Sequence, residues 1–124
     1  MGHRDVIDAN HGDVVRDPHS LASQLLQYAD CHQIADREIF EPVVDDLAPS
    51  CIVVVGDVNS TLACSLVGSK KRTPIVHIEA GLRSFDRDMP EEINRILTDQ
   101  IADRLYTTER GAAAHLAREG VAPE

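Results

Sequence analysis

The sequence predicts an α/β fold in which helices flank a parallel sheet. Two short apolar runs, residues 51–55 and 75–78, have the length and β-branching of strands that are buried on both faces. Between them, residues 59–71 carry apolar side chains at the three- and four-residue spacing of a helix. A strand, a helix and a second strand in this order place both strands parallel in one sheet. We therefore expect a layered α/β domain.

Composition and charge exclude several classes of protein. Hydrophobic residues make up 43% of the 124-residue chain and charged residues 27%, which are values of a single globular domain. No apolar run approaches the roughly 18 residues of a membrane span, and no signal peptide is visible. Three cysteines without a C-x-x-C pair indicate reduced thiols, so we expect a cytoplasmic protein. With a net charge of −9 and no basic face, nucleic-acid binding is not expected.

The first part of the chain has the weakest pattern. Residues 1–31 show no sustained strand or helix period, so we treat them as a poorly defined segment, a loop to about Pro18 followed by a short helix. Residues 32–47 should form a helix that Pro42 kinks or breaks. The apolar face of that helix would consist of Ile34, Ile39, Val43, Val44 and Leu47. The ordered domain then spans residues 32–124.

The helix between the two apolar runs has a recognisable start. Asn59 or Ser60 is a suitable N-cap, because a short polar side chain can accept a hydrogen bond from the first free backbone N–H groups. The buried face of this helix should consist of Leu62, Ala63, Leu66 and Val67.

A second pair of elements follows the second apolar run. Pro90 suits the first position of a helix, and two glutamates in the first turn suit the positive end of the helix dipole. The buried stripe of this helix should consist of Ile93, Leu97 and Ile101. A strand over 104–107 and a last helix over 109–119, stopped by Gly120, bring the expected count to three strands.

Two carboxylates directly follow the first two predicted strands. Asp57 lies just past the first and Glu79 just past the second. Because parallel strands end on the same edge of a sheet, these side chains should emerge close together. Grouped carboxylates can act as general acids or bases, since burial and like charges move carboxyl pKa values toward neutrality. Arg83, Arg87 and Arg95 follow in the next loop and helix and could bind an anion.

Structural explanations compete with functional ones at several of these positions. Asp57 could cap the following helix, and Glu91 with Arg95 has the i, i+4 spacing of a surface ion pair. His77 is equally consistent with a buried core histidine and with a site residue. His77 and Glu79 have the spacing of two metal ligands on one strand, but no third ligand is identifiable, so we expect no metal. No G-x-G-x-x-G or P-loop motif indicates a dinucleotide or ATP.

Three motifs, taken together, resemble one known family. They are GDVNSTLA at 56–63, HIEAGLRSF at 77–85 and MPEEINR at 89–95, with Leu97-Thr98-Asp99 after the third. In order and spacing they are similar to the non-hydrolysing UDP-N-acetylglucosamine 2-epimerases. The hydrolysing 2-epimerases share the Gly-Asp and His-Ile-Glu elements but lack the Ala-Gly-Leu-Arg and Pro-Glu-Glu-x-Asn-Arg forms. The resemblance runs from about Ile34 to Val121.

The resemblance implies a fold, a reaction and a setting. The fold would be a GT-B architecture of two Rossmann-like domains, with this chain a part of the first. The reaction would interconvert UDP-N-acetylglucosamine and UDP-N-acetylmannosamine by eliminating UDP and adding it back with C2 inverted. The enzyme would be a cofactor-free cytoplasmic homodimer in cell-surface polysaccharide biosynthesis. Because the family's Gly-Thr-Arg-Pro-Glu opening and second domain do not occur in these 124 residues, we expect a fragment that is inactive alone.

The resemblance also implies roles for particular residues. By motif, the catalytic residues would be Asp57, Glu79, Glu91 and Arg95. The substrate-binding residues would be His77, Arg83 and Asn94. The alternative is a non-catalytic α/β ligand-binding or interaction module, which would also place an acid after a valine-rich strand but would need no turnover.

Overall fold

The computed structural model describes residues 5–8 and 37–121, and strands and helices alternate along them. The elements are β1 (Asp5–Asp8), α1 (Arg37–Leu47), β2 (Ile52–Val55), α2 (Asn59–Lys70), β3 (Ile75–Ala80), α3 (Pro90–Ile101), β4 (Arg104–Thr107) and α4 (Ala112–Arg118). Within these described ranges no helix is long and apolar enough to cross a membrane.

All the strands pair in parallel, in the order β1-β4-β3-β2. β3 is central among the last three strands, with His77 opposite Val54 on one side and Leu105 on the other. Ile52, Val54, Ile75 and Leu105 are at most 1% exposed and form the middle of the core. These residues lie on one face of the sheet, which is buried, whereas Val53, Val55, Val76 and Ile78 on the opposite face are half-buried, so the expected burial on both faces is only partly realised. The predicted α/β class is confirmed.

A fourth strand, β1, was not expected from the sequence. Asp5–Asp8 pairs along its whole length with Arg104–Thr107, so the predicted loop up to Pro18 is wrong at these four residues. A strand of four residues that joins the sheet beside one neighbour is too short to show a hydrophobic period. The helix predicted after Pro18 lies outside the described residues, and the division at residue 31 stays a prediction.

α1 runs without a break through Pro42, which the sequence analysis expected to kink or break it. The helix buries Phe40 and Val44, whereas Ile39 and Leu47 of the predicted face are about half exposed. Val44 of the predicted face is buried and Val43 is half-buried, so the predicted face was right at these two residues and wrong at Ile39 and Leu47.

α2 buries small and polar side chains instead of the predicted leucines. Its buried residues are Ser60, Thr61, Cys64, Ser65, Val67 and Gly68, and Leu66 is 43% exposed. A Cβ atom at Gly68 would overlap the side-chain ends of Ile52 and Ile75, so the helix lies close against the sheet. Its N-cap is Val58, without a side-chain hydrogen bond, which corrects the expectation of an Asn59 or Ser60 cap.

α3 has the polarity opposite to the one predicted. Glu92, Asn94, Thr98 and Asp99 are buried, while Ile93 and Ile101 are half-buried and Leu97 is 45% exposed. The reason is that the neighbouring loop presents backbone N–H groups and charged side chains that need buried partners. The helix does begin at Pro90, with Glu91 and Glu92 in the first turn.

Gly81 follows β3 at a point where the backbone cannot accept a side chain. Its φ is +76°, and a Cβ atom would lie 2.7 Å from the carbonyl oxygen of Ala112 at the start of α4. Gly120, which ends α4, has a similar φ of +80° but open space around it. Comparing substitutions at the two glycines therefore separates the free-energy cost of the left-handed backbone from the cost of a steric clash.

We expect Gly81→Ala to destabilise the 124-residue chain by at least about 2 kcal/mol more than Gly120→Ala. Both substitutions introduce a left-handed alanine, which costs about 1–2 kcal/mol, but only the first also overlaps Ala112. Urea denaturation of both variants beside the parent chain measures the difference. Equal losses of stability in the two variants would show that α4 moves away from residue 81 without cost.

Candidate functional site

The carboxyl ends of β2 and β3 meet the first turn of α3, and the charged side chains gather there. Asp57, just past β2, accepts a hydrogen bond from Arg95 Nε at 2.9 Å through Oδ2, and Arg95 Nη2 lies 2.7 Å from the same oxygen. Asn94 donates to the Asp57 carbonyl oxygen at 2.9 Å and to Asn59 Oδ1 at 3.0 Å. The carboxylate of Asp57 is therefore turned toward α3, and the interpretation of Asp57 as a helix cap is wrong.

Arg95 connects two carboxylates. Besides Asp57, it binds Glu92 through Nη1 and Oε2 at 2.6 Å. The i, i+4 pair expected between Glu91 and Arg95 is replaced by this i, i+3 pair. Burial alone would lower the pKa of Arg95, but its bonds to Asp57 and Glu92 outweigh burial and raise it. Glu91 is exposed and makes no hydrogen bond or ion pair within the described ranges.

Glu92 is a buried residue for which the sequence analysis proposed no site role. It is 1% exposed, and its two oxygens accept the backbone N–H groups of Ser84 at 3.0 Å and Phe85 at 2.9 Å. Burial by itself would raise the pKa of Glu92, but these two bonds and the bond from Arg95 together lower it. Glu92 therefore stays ionised and attaches the loop after β3 to α3. Adjacent acids at the start of a helix were the only sequence signal for it.

Glu79 has an unusual backbone. Its φ is +69°, a left-handed conformation that is rare for a residue with a long side chain, and it sits at a register shift where β3 and β4 skip one residue. Its side chain is exposed, and Oε2 lies 3.4 Å from where a Cβ atom on Gly56 would be. The bulge thus directs the Glu79 carboxylate over Gly56 at the end of β2, the residue that precedes Asp57.

His77 is fully buried two residues before Glu79. Nε2 lies 2.8 Å from the carbonyl oxygen of Gly56, and Nδ1 lies 2.6 Å from Asp99 Oδ1. His77 is therefore a buried core histidine, the first of the two alternatives. Its ring also fixes the backbone of Gly56, directly before Asp57. Its contacts here are with protein, and its direct binding of substrate stays a prediction.

Arg83 is also turned inward. Its side chain is 1% exposed and binds Asp99 Oδ2 at 2.8 Å and both carboxylate oxygens of Glu119 at 2.8 and 2.5 Å. Burial would lower the pKa of Arg83, but the bonds to Glu119 and Asp99 raise it above its ordinary value, so the guanidinium stays charged. Substrate binding by Arg83 and by Asn94 likewise stays a prediction.

The structure brings Asp57 and Glu79 to one edge and gives two of the three predicted cations protein partners. Arg83 and Arg95 are each bound by two carboxylates and hold the site together, whereas Arg87 is exposed and its side chain makes no hydrogen bond or ion pair among the described residues. Two carboxylates, Glu79 and Glu91, remain exposed to accept or donate protons. Across the described stretches, no three His, Cys, Asp or Glu side chains group as metal ligands do.

We expect Glu79→Gly to leave the 124-residue chain more stable than Glu79→Ala, by about 1 kcal/mol. Glycine adopts φ near +69° without the steric cost that a Cβ atom imposes, a gain that exceeds its greater flexibility in the unfolded chain. Thermal and urea unfolding of both variants measure the difference. If alanine is the more stable of the two, Glu79 is not strained in solution.

A second prediction concerns pH. Because the pKa of Glu92 is lowered in the folded chain, its stabilisation is present above its ordinary value of 4.5 and is lost as the pH falls through the lower folded value. Glu92→Gln should therefore cost about 1–3 kcal/mol at pH 7, and the gap to the parent should narrow below pH 4.5. The adjacent, exposed Glu91→Gln is the matched control in urea titrations, with no gap at either pH. If the difference in unfolding free energy between Glu92→Gln and the parent does not change with pH, Glu92 is not ionised in the folded chain.

Comparison with known proteins connects this site to one family. A sequence model of the family described as UDP-N-acetylglucosamine 2-epimerase matches residues 35–124. The UDP-N-acetylglucosamine 2-epimerase of Methanocaldococcus jannaschii is 53% identical over 73 residues, which are 59% of this chain and 20% of that protein. The UDP-2,3-diacetamido-2,3-dideoxy-D-glucuronate 2-epimerase of Pseudomonas aeruginosa is 55% identical over 80 residues, 64% of this chain and 23% of that protein.

Solved structures agree with the sequence comparison. The structure of the M. jannaschii enzyme superposes with a TM-score of 0.67 at 48% identity, over 68% of this chain and 24% of that one. A structure of the same enzyme in complex with UDP-GlcNAc and UDP gives 0.66 at 49% identity, over 68% and 23%. The chain therefore spans about a fifth to a quarter of the length of these relatives. Because the family's sequence model matches well over half of the chain, this chain belongs to the UDP-N-acetylglucosamine 2-epimerase family.

Proposed function

We propose that this chain supplies part of the catalytic site of an enzyme that inverts C2 of a UDP-N-acetylhexosamine, interconverting UDP-N-acetylglucosamine and UDP-N-acetylmannosamine. The observation that carries the proposal is that carboxylates follow the ends of β2 and β3, at Asp57 and Glu79, and that Arg95 of α3 binds Asp57; Glu91 lies in the first turn of the same helix. Relatives that are about half identical to the chain are 2-epimerases of UDP-sugars. The complete protein would then have the two-domain GT-B architecture and bind its substrate in the cleft at this edge.

The chemistry requires groups that can move a proton. Removing the C2 proton and breaking the bond between C1 and the UDP oxygen gives a C1–C2 double bond, the glycal, and free UDP. Returning a proton to the opposite face of C2 while UDP adds back to C1 gives the epimer. Proton transfer by a positioned carboxylate contributes about 10²–10⁴-fold to such a rate. Glu79 and Glu91 are exposed and able to exchange protons with a ligand.

Asp57 and Arg95 would stabilise charge on the substrate. Their ion pair, in which Nε and Nη2 of Arg95 both face Asp57 Oδ2, is partly buried, with side-chain exposures of 30% for Asp57 and 16% for Arg95. A substrate hydroxyl or phosphate that approached this pair would meet an oriented carboxylate and a fixed positive charge in one place, which is how charge developing in a transition state is stabilised. Asn94, His77 and Arg83 would serve the substrate site by fixing its backbone, since Asn94 binds the Asp57 carbonyl, His77 the Gly56 carbonyl and Arg83 the Leu82 carbonyl.

Two broader properties belong to the same proposal. We infer that the complete enzyme is a homodimer, because the outward stripe of Ile93, Leu97 and Ile101 on α3 is an apolar surface of the kind that protein interfaces cover. We also infer a cytoplasmic location in a route to cell-surface polysaccharide, consistent with nucleotide-sugar substrates.

The test uses a chimera of the M. jannaschii enzyme in which the matching segment of this chain replaces the native one. Epimerisation is followed as deuterium incorporation at C2 of UDP-N-acetylglucosamine in D₂O. We expect the chimera to turn over and Asp57→Asn, Glu79→Gln and Glu91→Gln each to lower kcat by at least about 10²-fold. The exposed carboxylate of Asp46 on α1 gives the matched control, Asp46→Asn, which should keep the parent rate.

The 124-residue chain by itself is the second control. We expect no exchange above a protein-free blank, because it spans only about a quarter of the relatives that act on this substrate. Deuterium incorporation by the chain alone would overturn that expectation. A chimera that binds UDP and unfolds cooperatively but never exchanges the C2 proton would overturn the proposed activity.

A further inference from the structure

We propose that Asp99 is a positioning residue that holds Glu79 in its left-handed conformation, an inference that rests on the proposed function only for the importance of Glu79. Asp99 is fully buried on α3 and lies far from Glu79 in sequence. Its two carboxylate oxygens bind residues on both sides of Glu79. We call this group of three residues, Asp99, His77 and Gly81, the Asp99 clamp.

The geometry of the Asp99 clamp is specific. Oδ1 lies 2.6 Å from His77 Nδ1, two residues before Glu79, and Oδ2 accepts the Gly81 N–H at 3.0 Å, two residues after it. His77 pairs regularly with Leu105 of β4, whereas the register shifts between Ile78 and Ala80. One carboxylate therefore spans the bulge and binds both of its ends.

The remaining contacts explain why a buried carboxylate is tolerated there. Arg83 Nη1 binds Oδ2 at 2.8 Å, and Arg83 is itself bound by Glu119, so the charge on Asp99 is compensated within the core. The other ring nitrogen of His77 faces the Gly56 carbonyl at 2.8 Å. A change at Asp99 is thus transmitted in two directions, to the bulge at Glu79 and to the backbone just before Asp57.

Steric cost makes the clamp necessary. A left-handed conformation is unfavourable for glutamate, and it persists in folded proteins only where surrounding contacts impose it. Without the bond from the Gly81 N–H to Asp99, the residue after the bulge is held only at its carbonyl oxygen, by His115 Nδ1 at 2.9 Å, so its N–H and the bulge before it lose the contact that orients them. Glu79 would then return to an extended conformation, and its carboxylate would leave the position over Gly56.

The first test is structural and uses NMR of the 124-residue chain. In the parent, the Glu79 Cα and Cβ shifts should be those of a left-handed residue, and the Gly81 amide should exchange slowly although it lies outside any strand or helix. Asp99→Ala should move the Glu79 shifts to extended values and speed Gly81 exchange at least about tenfold. Thr98→Val is the matched control, because Thr98 is equally buried and its hydroxyl has no hydrogen-bond partner among the described residues.

Asp99→Asn separates geometry from charge. Asparagine can accept the Gly81 N–H with its oxygen and donate its N–H to a neutral His77 ring, so we expect it to keep the left-handed Glu79 shifts. An Asp99→Ala variant that folds with unchanged Glu79 shifts overturns the proposal. If that variant does not fold, a parent Gly81 amide that exchanges as fast as an exposed loop amide overturns it instead.

The second test is kinetic and uses the chimera. Asp99→Ala should lower kcat by about 10²-fold with KM changed less than about threefold, since a displacement of about 1 Å in a catalytic group has that effect on rate. Asp99→Asn should restore most of kcat. If Asp99→Ala changes the Glu79 Cα and Cβ shifts to extended values while kcat is unchanged, the positioning role of Asp99 is supported and the proposed catalytic role of Glu79 is wrong. Unchanged shifts with a lowered kcat overturn the clamp.

Discussion

The charged face of α3, turned toward the protein interior, is the constraint on which the rest of the site depends. Glu92 and Asp99 lie two turns apart on that face, and together they accept four of the hydrogen bonds offered by the segment after β3. A buried backbone N–H without a partner costs about 1–3 kcal/mol, so the loop over 81–85 could not pass under the helix without them. The helix thus serves as the acceptor surface that gives this irregular segment one conformation.

The same carboxylates determine what the arginines do. A buried guanidinium is stable only when its charge is matched, and Arg83 and Arg95 each lie between two acids. Arg83 joins the loop to α3 and to Glu119 at the end of α4, and Arg95 joins α3 to the end of β2 in addition to its partner within the helix. The ion pairs form two groups, Arg83 with Asp99 and Glu119 and Arg95 with Asp57 and Glu92, and within each group removing one acid leaves the arginine with a single carboxylate partner.

The strands β2 and β3, their parallel arrangement and the residues at their ends could be read from the sequence, because both strands are short apolar runs and a carboxylate directly follows each of them. The helix faces could not. Leu66 and Leu97 were assigned to the core by their period, yet the buried faces of α2 and α3 are polar or small. Period fixes which residues share a face, and only tertiary partners decide which face is inside. Glu92 and Asp99 were missed for the same reason, since a charged residue on a helix is ordinarily assigned to solvent. β1 was too short to show a period.

The conformation of Glu79 has a consequence for how this position responds to selection. A population of variants selected only for folding, for example by protease resistance on a cell surface, would enrich glycine at position 79, because glycine is free of the steric cost described for φ of +69°. A population selected for turnover would retain glutamate if the proposed function holds. The two selections would therefore diverge most at a residue that contributes little to the core, and that divergence would mark position 79 as one where activity is kept at the expense of stability.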